Sequence, residues 1–174
     1  MTPIFSNFLN PMVIGLALIV LLIGVSWLAL SSSANPYVRA EYLFSKAEVN
    51  FYFALKNAVQ GQYLVFGKVR VADLINVKPS LSAKARMSAL GRIAQKHMDY
   101  VLVNPVTLAP VCAVELNDRT HLQSHRSQRD QMLQAIFEKA QFPMVWIQAA
   151  RSYDPVAIMK EIQIATTPEL LRYS

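Results

Sequence analysis

The chain has a single cysteine, Cys112, in 174 residues. One cysteine excludes an intrachain disulfide and any cysteine-built zinc site, so the fold must stand on its apolar core. Charge is absent from the N-terminal part, where no Asp, Glu, Lys or Arg precedes Arg39. The 17 basic and 11 acidic side chains behind the formal charge of +6 all follow that point, at a density ordinary for one soluble domain. Acid is also absent from Leu74 through Met98, a stretch that holds Lys78, Lys84, Arg86, Arg92 and Lys96. Only one apolar run approaches membrane-spanning length, which excludes a multipass protein. The charged part is long enough to bury roughly two thirds of its unfolded surface without staples.

The apolar run, Met12 to Leu30, is uncharged, and twelve of its nineteen residues are Leu, Ile or Val. As a helix it would extend about 28 Å, close to the thickness of a bilayer core. Pro11 suits a first helical turn and Trp27 an interfacial anchor. The competing reading is a cleaved signal peptide, since Ser32 and Ala34 have small-x-small spacing, and the domain would then be secreted or periplasmic. The length of the run and the lack of a preceding Lys or Arg oppose it. Positive flanking charge lies only on the C-terminal side, at Arg39 and Lys46. The expectation is a single-pass protein of the inner or plasma membrane, N-terminus outside and C-terminal domain cytoplasmic. Residues 1–34 would form the transmembrane helix (about 12–30) and linker, 35–165 the domain, and 166–174 a tail.

Along the domain, Phe44, Glu48, Phe51 and Leu55 share one stripe of a helix that Ser45 opens and that ends near Gly61. Residues 63–71 read as a strand with a bulge at Gly67. Ser82 can cap a basic helix reaching about Gln95. Two strands, 97–103 and 111–117, flank a turn with Pro105 and Pro110. A helix over 124–140 would turn Met132, Leu133, Ile136, Phe137 and Ala140 inward, followed by a short strand over 143–149 and a helix from Pro155 to about Ile164. The expected class is α/β, an αβββαβ sandwich around a small mixed sheet, preceded by the transmembrane helix.

The paired strands carry the chemistry. A symmetric turn centred on Thr107 places Val103 opposite Val111, Asp99 opposite Glu115 and His97 opposite Asn117. Period two then sends His97, Asp99, Glu115 and Asn117 to one face and Met98, Tyr100, Leu102, Cys112, Val114 and Leu116 to a core-like face. Two ionised carboxylates directly opposed would repel by roughly 3 kcal/mol at an effective dielectric of about 20. A divalent cation offsets this, and two carboxylates with waters and phosphate oxygens suit Mg²⁺ or Mn²⁺. Alternatively the register slips by a residue or two and the acids meet solvent or an Arg.

These motifs, Lys96-His97-Met98-Asp99-Tyr100-Val101-Leu102, then Glu115-Leu116-Asn117-Asp118-Arg119-Thr120-His121, then Arg129-Asp130, resemble the PD-(D/E)XK (restriction-endonuclease-like) nuclease superfamily. The nearest pattern is a bacterial branch related to very-short-patch-repair-like nucleases. The resemblance covers about residues 43–162. It implies a metal-dependent nuclease hydrolysing phosphodiester bonds, of DNA more readily than RNA, with Asp99 and Glu115 holding Mg²⁺ or Mn²⁺. Asn117 stands at the third motif position, Lys in the superfamily and Asp in this branch, and brings neither charge. It would position water, with His97 and His121 assisting proton transfer.

Lys84, Arg86 and Arg92 of the basic helix, with Arg126 and Arg129, are the candidate phosphate contacts, although the basic helix could equally lie on anionic lipid. Glu48 could reach the metal, but Ser45-x-x-Glu48 is also a capping box. Cys112 reads as core, Asp118 as a metal neighbour or a turn residue, and Asp130 as a partner of Arg126. The rival to the enzyme is a catalytically degenerate module that binds nucleic acid or a protein partner at the membrane.

Overall fold

The computed structural model describes residues 11–31, 35–117 and 123–170, without the side chains of 28–31, 123–127 and 168–170. The chain divides into two units, Met1–Leu43 and Phe44–Ser174.

The first unit holds helix α1, Pro11–Ser31, 21 residues without a charged side chain. Its apolar residues lie around the whole circumference, and Leu16, Leu18, Leu21, Leu22 and Ile23 are all more than half exposed. Among the described residues no helix is both long and apolar enough to cross a membrane. The side chains of α1 are described only as far as Trp27, a stretch short of the roughly 20 residues a bilayer core requires, while its backbone stays helical to Ser31. A helix thus lies where the apolar run is expected to form one.

The second unit begins with α2, Lys46–Val59, opened by a full capping box. Ser45 Oγ accepts from the Glu48 N–H at 3.3 Å, and Glu48 Oε2 accepts from the Ser45 N–H at 2.7 Å. Such a box satisfies two donors that the helix leaves open. The helix ends at Gln60, in the left-handed region at φ 45°, followed by Gly61 at φ 79°. Then come β1, Leu64–Arg70; a short α3, Val71–Leu74, absent from the sequence reading; α4, Ala83–Ile93, capped by Ser82 as expected; β2, His97–Val103; and β3, Pro110–Asn117. After α5, Gln123–Ala140, follow β4, Met144–Gln148, and α6, Pro155–Leu170.

The four strands lie in the order β1-β2-β3-β4. β1, β2 and β3 pair antiparallel, and β3 pairs parallel with β4, which is possible because α5 makes the long crossover that a parallel pair needs. The β2–β3 register matches Tyr100 with Val114, Val101 with Ala113 and Leu102 with Cys112, the expected alignment. Only the turn end departs from it: Val103 pairs with Pro110 rather than Val111. The Asn104 N–H donates to the Ala109 carbonyl, and Asn104 Oδ1 accepts from Val106 and Thr107. This Asx-type turn draws the strand end in by one residue.

Both faces of the sheet are covered. Phe51, Leu55 and Val59 of α2 and Ile158 and Ile162 of α6 pack on Tyr100, Leu102, Cys112 and Val114. Leu133 and Phe137 of α5 pack with Val71, Ile93, Met98, Val101 and Ala113. Met98 therefore joins the second cluster, not the core-like face expected from alternation, and Ala140 is exposed rather than inward. The final helix also runs past Ile164 to Leu170, so residues 166–170 are not tail. Thr166, 1% exposed, donates its hydroxyl to the Ile162 carbonyl, and Thr167 to that of Gln163. These bonds let threonines that look like a stop continue the turn.

A Cβ on Gly67 would lie 2.2 Å from the Phe44 ring, which stacks on Tyr100 at 5.5 Å, whereas one on Gly91, inside α4, would meet nothing within 4 Å. Gly67→Ala should therefore cost roughly 1–3 kcal/mol by overpacking. Gly91→Ala should gain about 0.5–1 kcal/mol from helix propensity. Chemical denaturation of the full chain in detergent checks both, and equal midpoints for the two variants would contradict the packing described.

Candidate functional site

Continuing the β2–β3 register past Tyr100 brings Asp99 and Glu115 opposite each other, and side-chain bonds tie them together. The Asp99 N–H donates to Glu115 Oε2 at 3.1 Å, and the Leu116 N–H donates to Asp99 Oδ2 at 3.0 Å. α2 adds Glu48 from its first turn. Lys68 of β1 reaches between elements, its Nζ 2.6 Å from Glu48 Oε1 and 3.0 Å from Asp99 Oδ1. Arg129 of α5 donates to Glu115 Oε1 at 3.0 Å. A cavity of about 260 Å³ gathers Glu48, Asp99, Glu115, Asn117, Arg129 and Asp130. A second, more basic cleft shares Asp99 and Arg129 with it and adds Lys68, Lys96 and His97.

The electrostatics follow from burial. Glu115 is 5% exposed. Burial first, and then the negative charge of Asp99, push its carboxyl up to about 7, against the opposing pull of Arg129 and the Asp99 N–H. Burial also raises Glu48, but the Lys68 hydrogen bond and the Ser45 N–H outweigh it and hold that carboxyl below its ordinary value. For Lys68 burial would lower the pKa; the bonds to Glu48 and Asp99 overcome it and hold the ammonium above the usual lysine range. Lys68 is a standing cation, and Glu115 a carboxyl short of positive charge.

Among the described residues no three of His, Cys, Asp and Glu come together as a metal-binding group, so an all-protein cage is absent. The paired oxygens of Asp99 and Glu115 nevertheless fit a hard cation that keeps waters and takes substrate oxygens, which needs only one or two carboxylates. Arg129 offsets only part of the cost of charging the buried Glu115, and a cation would favour its ionised form.

Most of the expected catalytic residues come together: Asp99, Glu115 and Asn117 line one cavity, and His97 lines the adjoining cleft. The expected register of the two acids is right, and Glu115 also meets an arginine, which the slipped-register alternative expected. Glu48 serves as cap and as a lining acid at once. Arg129, expected on phosphates, instead holds Glu115. Lys84, Arg86 and Arg92 are exposed on α4, and neither cavity is lined by them. His121, Asp118 and the side chain of Arg126 lie outside the described residues. Cys112 is buried, and desolvation pushes its thiol up to about 12, which suits a core residue and no nucleophile. β2 begins only at His97, and Lys96 lines the cleft.

Lys68 was missed. Its one sequence signal was Gly67 inside a strand-like run, read as a bulge. The β1–β2 register has no slip there; instead Lys68 itself takes φ 56°.

A carboxyl that holds its proton more tightly when folded stabilises the fold below its unfolded pKa and loses that contribution as pH rises through its folded pKa. For Glu115 the window runs from 4.5 to about 7, worth on the order of 3 kcal/mol. Glu48, being lowered, contributes stability that is present above its ordinary 4.5 and is lost only as pH falls below that value. In chelator-containing buffer the chain should thus lose stability between pH 5 and 8, and Glu115→Gln should remove that slope and exceed the parent at pH 8. Denaturant titrations at both pH values check this, and parallel slopes in the two chains would show that Glu115 is not the group responsible.

No curated protein matches the chain, and no solved structure matches it either. A family model described as "Protein of unknown function (DUF2726)" matches residues 40–165, most of the chain, and the protein belongs to that family.

Proposed function

We propose that this protein is a membrane-tethered, metal-dependent nuclease-like enzyme that hydrolyses phosphodiester bonds of DNA or RNA. The observation that carries the reading is the acid cluster itself. Glu48, Asp99 and Glu115 converge on one cavity from α2, β2 and β3, with Asn117 beside them and a basic cleft opening next to it. The order of these elements agrees with the resemblance to PD-(D/E)XK nucleases.

Asp99 and Glu115 would hold Mg²⁺ or Mn²⁺, which supplies Lewis-acid polarisation of a phosphate oxygen. The protein's own groups do the rest. Lys96 and Arg129 of the basic cleft attract the polyanion. The exposed Lys84, Arg86 and Arg92 extend that field along α4. Asn117 orients the attacking water. His97, exposed at the start of β2 and lining the cleft, takes the water's proton as its oxygen bonds to phosphorus. The leaving sugar oxygen takes a proton from solvent as its bond to phosphorus breaks. Glu115, its carboxyl pushed up to about 7 by burial, would be held fully ionised by a bound cation, so metal uptake and proton release from Glu115 are coupled.

A second reading, a non-catalytic nucleic-acid-binding module, is favoured by one specific observation. Asn117 brings no charge to the third motif position, and Lys68 and Arg129 already pair with the acids. Incubation of the detergent-solubilised chain with supercoiled plasmid or RNA separates the two. The enzyme reading expects Mn²⁺- or Mg²⁺-dependent cleavage, abolished by EDTA and reduced at least about 100-fold in Glu115→Gln. Salt-sensitive binding without cleavage would establish the module instead.

The tether is α1, uncharged over 21 residues and apolar on every side. Arg39 and Lys46 flank it only on the C-terminal side, which favours an N-terminus outside and a cytoplasmic domain at the inner or plasma membrane. A Ser6→Cys, Cys112→Ser chain should react with a membrane-impermeant maleimide in intact cells. Labelling only after lysis would reverse the topology, and a mature chain beginning near Asn35 would replace the anchor by a signal peptide.

A further inference from the structure

The basic cleft beside the acid cavity contains a cation, paired with two of the cavity's acids, that the motif pattern does not anticipate. We propose that Lys68 is the catalytic cation of this site, supplying from β1 the positive charge that Asn117 does not bring to the third motif position. The role rests on the hydrolytic reading above.

Three independent observations converge on Lys68. Its Nζ lies within 3.0 Å of both Glu48 and Asp99, so it stands beside the acid assigned to the metal. Its side chain also lines the open basic cleft with Lys96, His97 and Arg129, where a phosphate would pass. Finally, its backbone takes φ 56° in the middle of a strand whose neighbours Gly67 and Val69 keep their regular pairing with Tyr100 and Met98. A left-handed residue other than glycine is disfavoured in a strand, and such strain persists where the surrounding structure holds a side chain to a task. Here the hold is visible: Gly67 lies against the Phe44 ring with no room for a Cβ, and the Lys68 ammonium sits 5.7 Å from the centre of that ring.

The chemistry fits a fixed charge rather than a proton carrier. Lys68 Nζ donates to both Glu48 Oε1 and Asp99 Oδ1, so it stands in the site as a hydrogen-bond donor and not as a base for the attacking water. It can donate an N–H to a non-bridging phosphate oxygen as negative charge grows there. In hydrolysis the water oxygen forms the new bond to phosphorus, its proton passing to His97, and the bond to the sugar oxygen breaks with protonation from solvent. Lys68 stabilises that change without net proton transfer. A plain neutralising role for the two acids would require neither the strained backbone nor the opening onto the cleft.

The test compares the parent, Lys68→Met and Lys68→Met/Asn117→Lys, all full-length in detergent, by Mn²⁺-induced shift in Tm and by rate of plasmid nicking. Lys68→Gly, which fits the left-handed backbone, is the second uncharged variant should Lys68→Met fail to fold. The expectation is a Mn²⁺ shift at least as large as the parent's in the uncharged variant, because a competing cation has gone. Nicking should fall about 100-fold or more, and Asn117→Lys should recover at least about tenfold of it by returning the charge to the third motif position. Nicking within threefold of the parent would overturn the role, and so would loss of the Mn²⁺ shift together with nicking, which marks a structural residue. A parent that shows the Mn²⁺ shift and nicks nothing would overturn the hydrolytic reading and this role with it.

Discussion

Three carboxylates, Glu48, Asp99 and Glu115, are brought to one cavity, and among the described residues Lys68 and Arg129 are the cations paired with them. The pairing is uneven. Lys68 is shared between two acids, whereas Glu115, nearly out of contact with water, has an arginine that is itself partly exposed. Coulomb repulsion across adjacent strands is cheap in water and costly where solvent is excluded. The site therefore rests in a state that an added cation would relieve, and both the raised affinity of Glu115 for its proton and the metal binding proposed above derive from that imbalance.

The fold exists in a form that sustains the imbalance. Covering both faces of a four-stranded sheet, with α2 and α6 on one core and α5 on the other, removes water from the strand that carries Glu115. The capping box that starts α2 fixes Glu48 through one carboxylate oxygen and leaves the other for Lys68. The Phe44 ring closes over Gly67 and stacks on Tyr100, whose hydroxyl donates to the Glu48 carbonyl at 2.6 Å. A packing defect at any of these points would loosen the geometry of charged groups several residues away.

Much of this was legible in the order of residues. The symmetric turn centred on Thr107 carried the strand register, and a slip of one residue would have turned Tyr100, Leu102, Cys112 and Val114 away from the core that α2 and α6 cover. Ser45-x-x-Glu48 and Ser82 marked helix starts through the donors they satisfy. Lys68 was not legible, since a left-handed backbone inside a strand leaves no mark in alternation; Gly67 hinted at an irregularity of the wrong kind. The extension of α6 was hidden for a similar reason: Thr166 and Thr167 look like a stop until their hydroxyls are seen bonded one turn back. Met98 departs from simple parity, and no pattern in the sequence marked it. Arg129 was read as a phosphate contact because nothing in the sequence shows that it faces Glu115 across the sheet.

The central claim is that Asp99 and Glu115 form one cation site that lacks positive charge. Electron paramagnetic resonance of free Mn²⁺, titrated with the full-length chain in detergent at pH 8, measures it without reference to any substrate. The account predicts saturable loss of the free-ion signal, near one Mn²⁺ per chain, that disappears in Asp99→Asn and weakens as pH falls below about 7, where Glu115 regains its proton. A parent chain that leaves the free-ion signal unchanged at pH 8, or an Asp99→Asn chain that binds as the parent does, would contradict it.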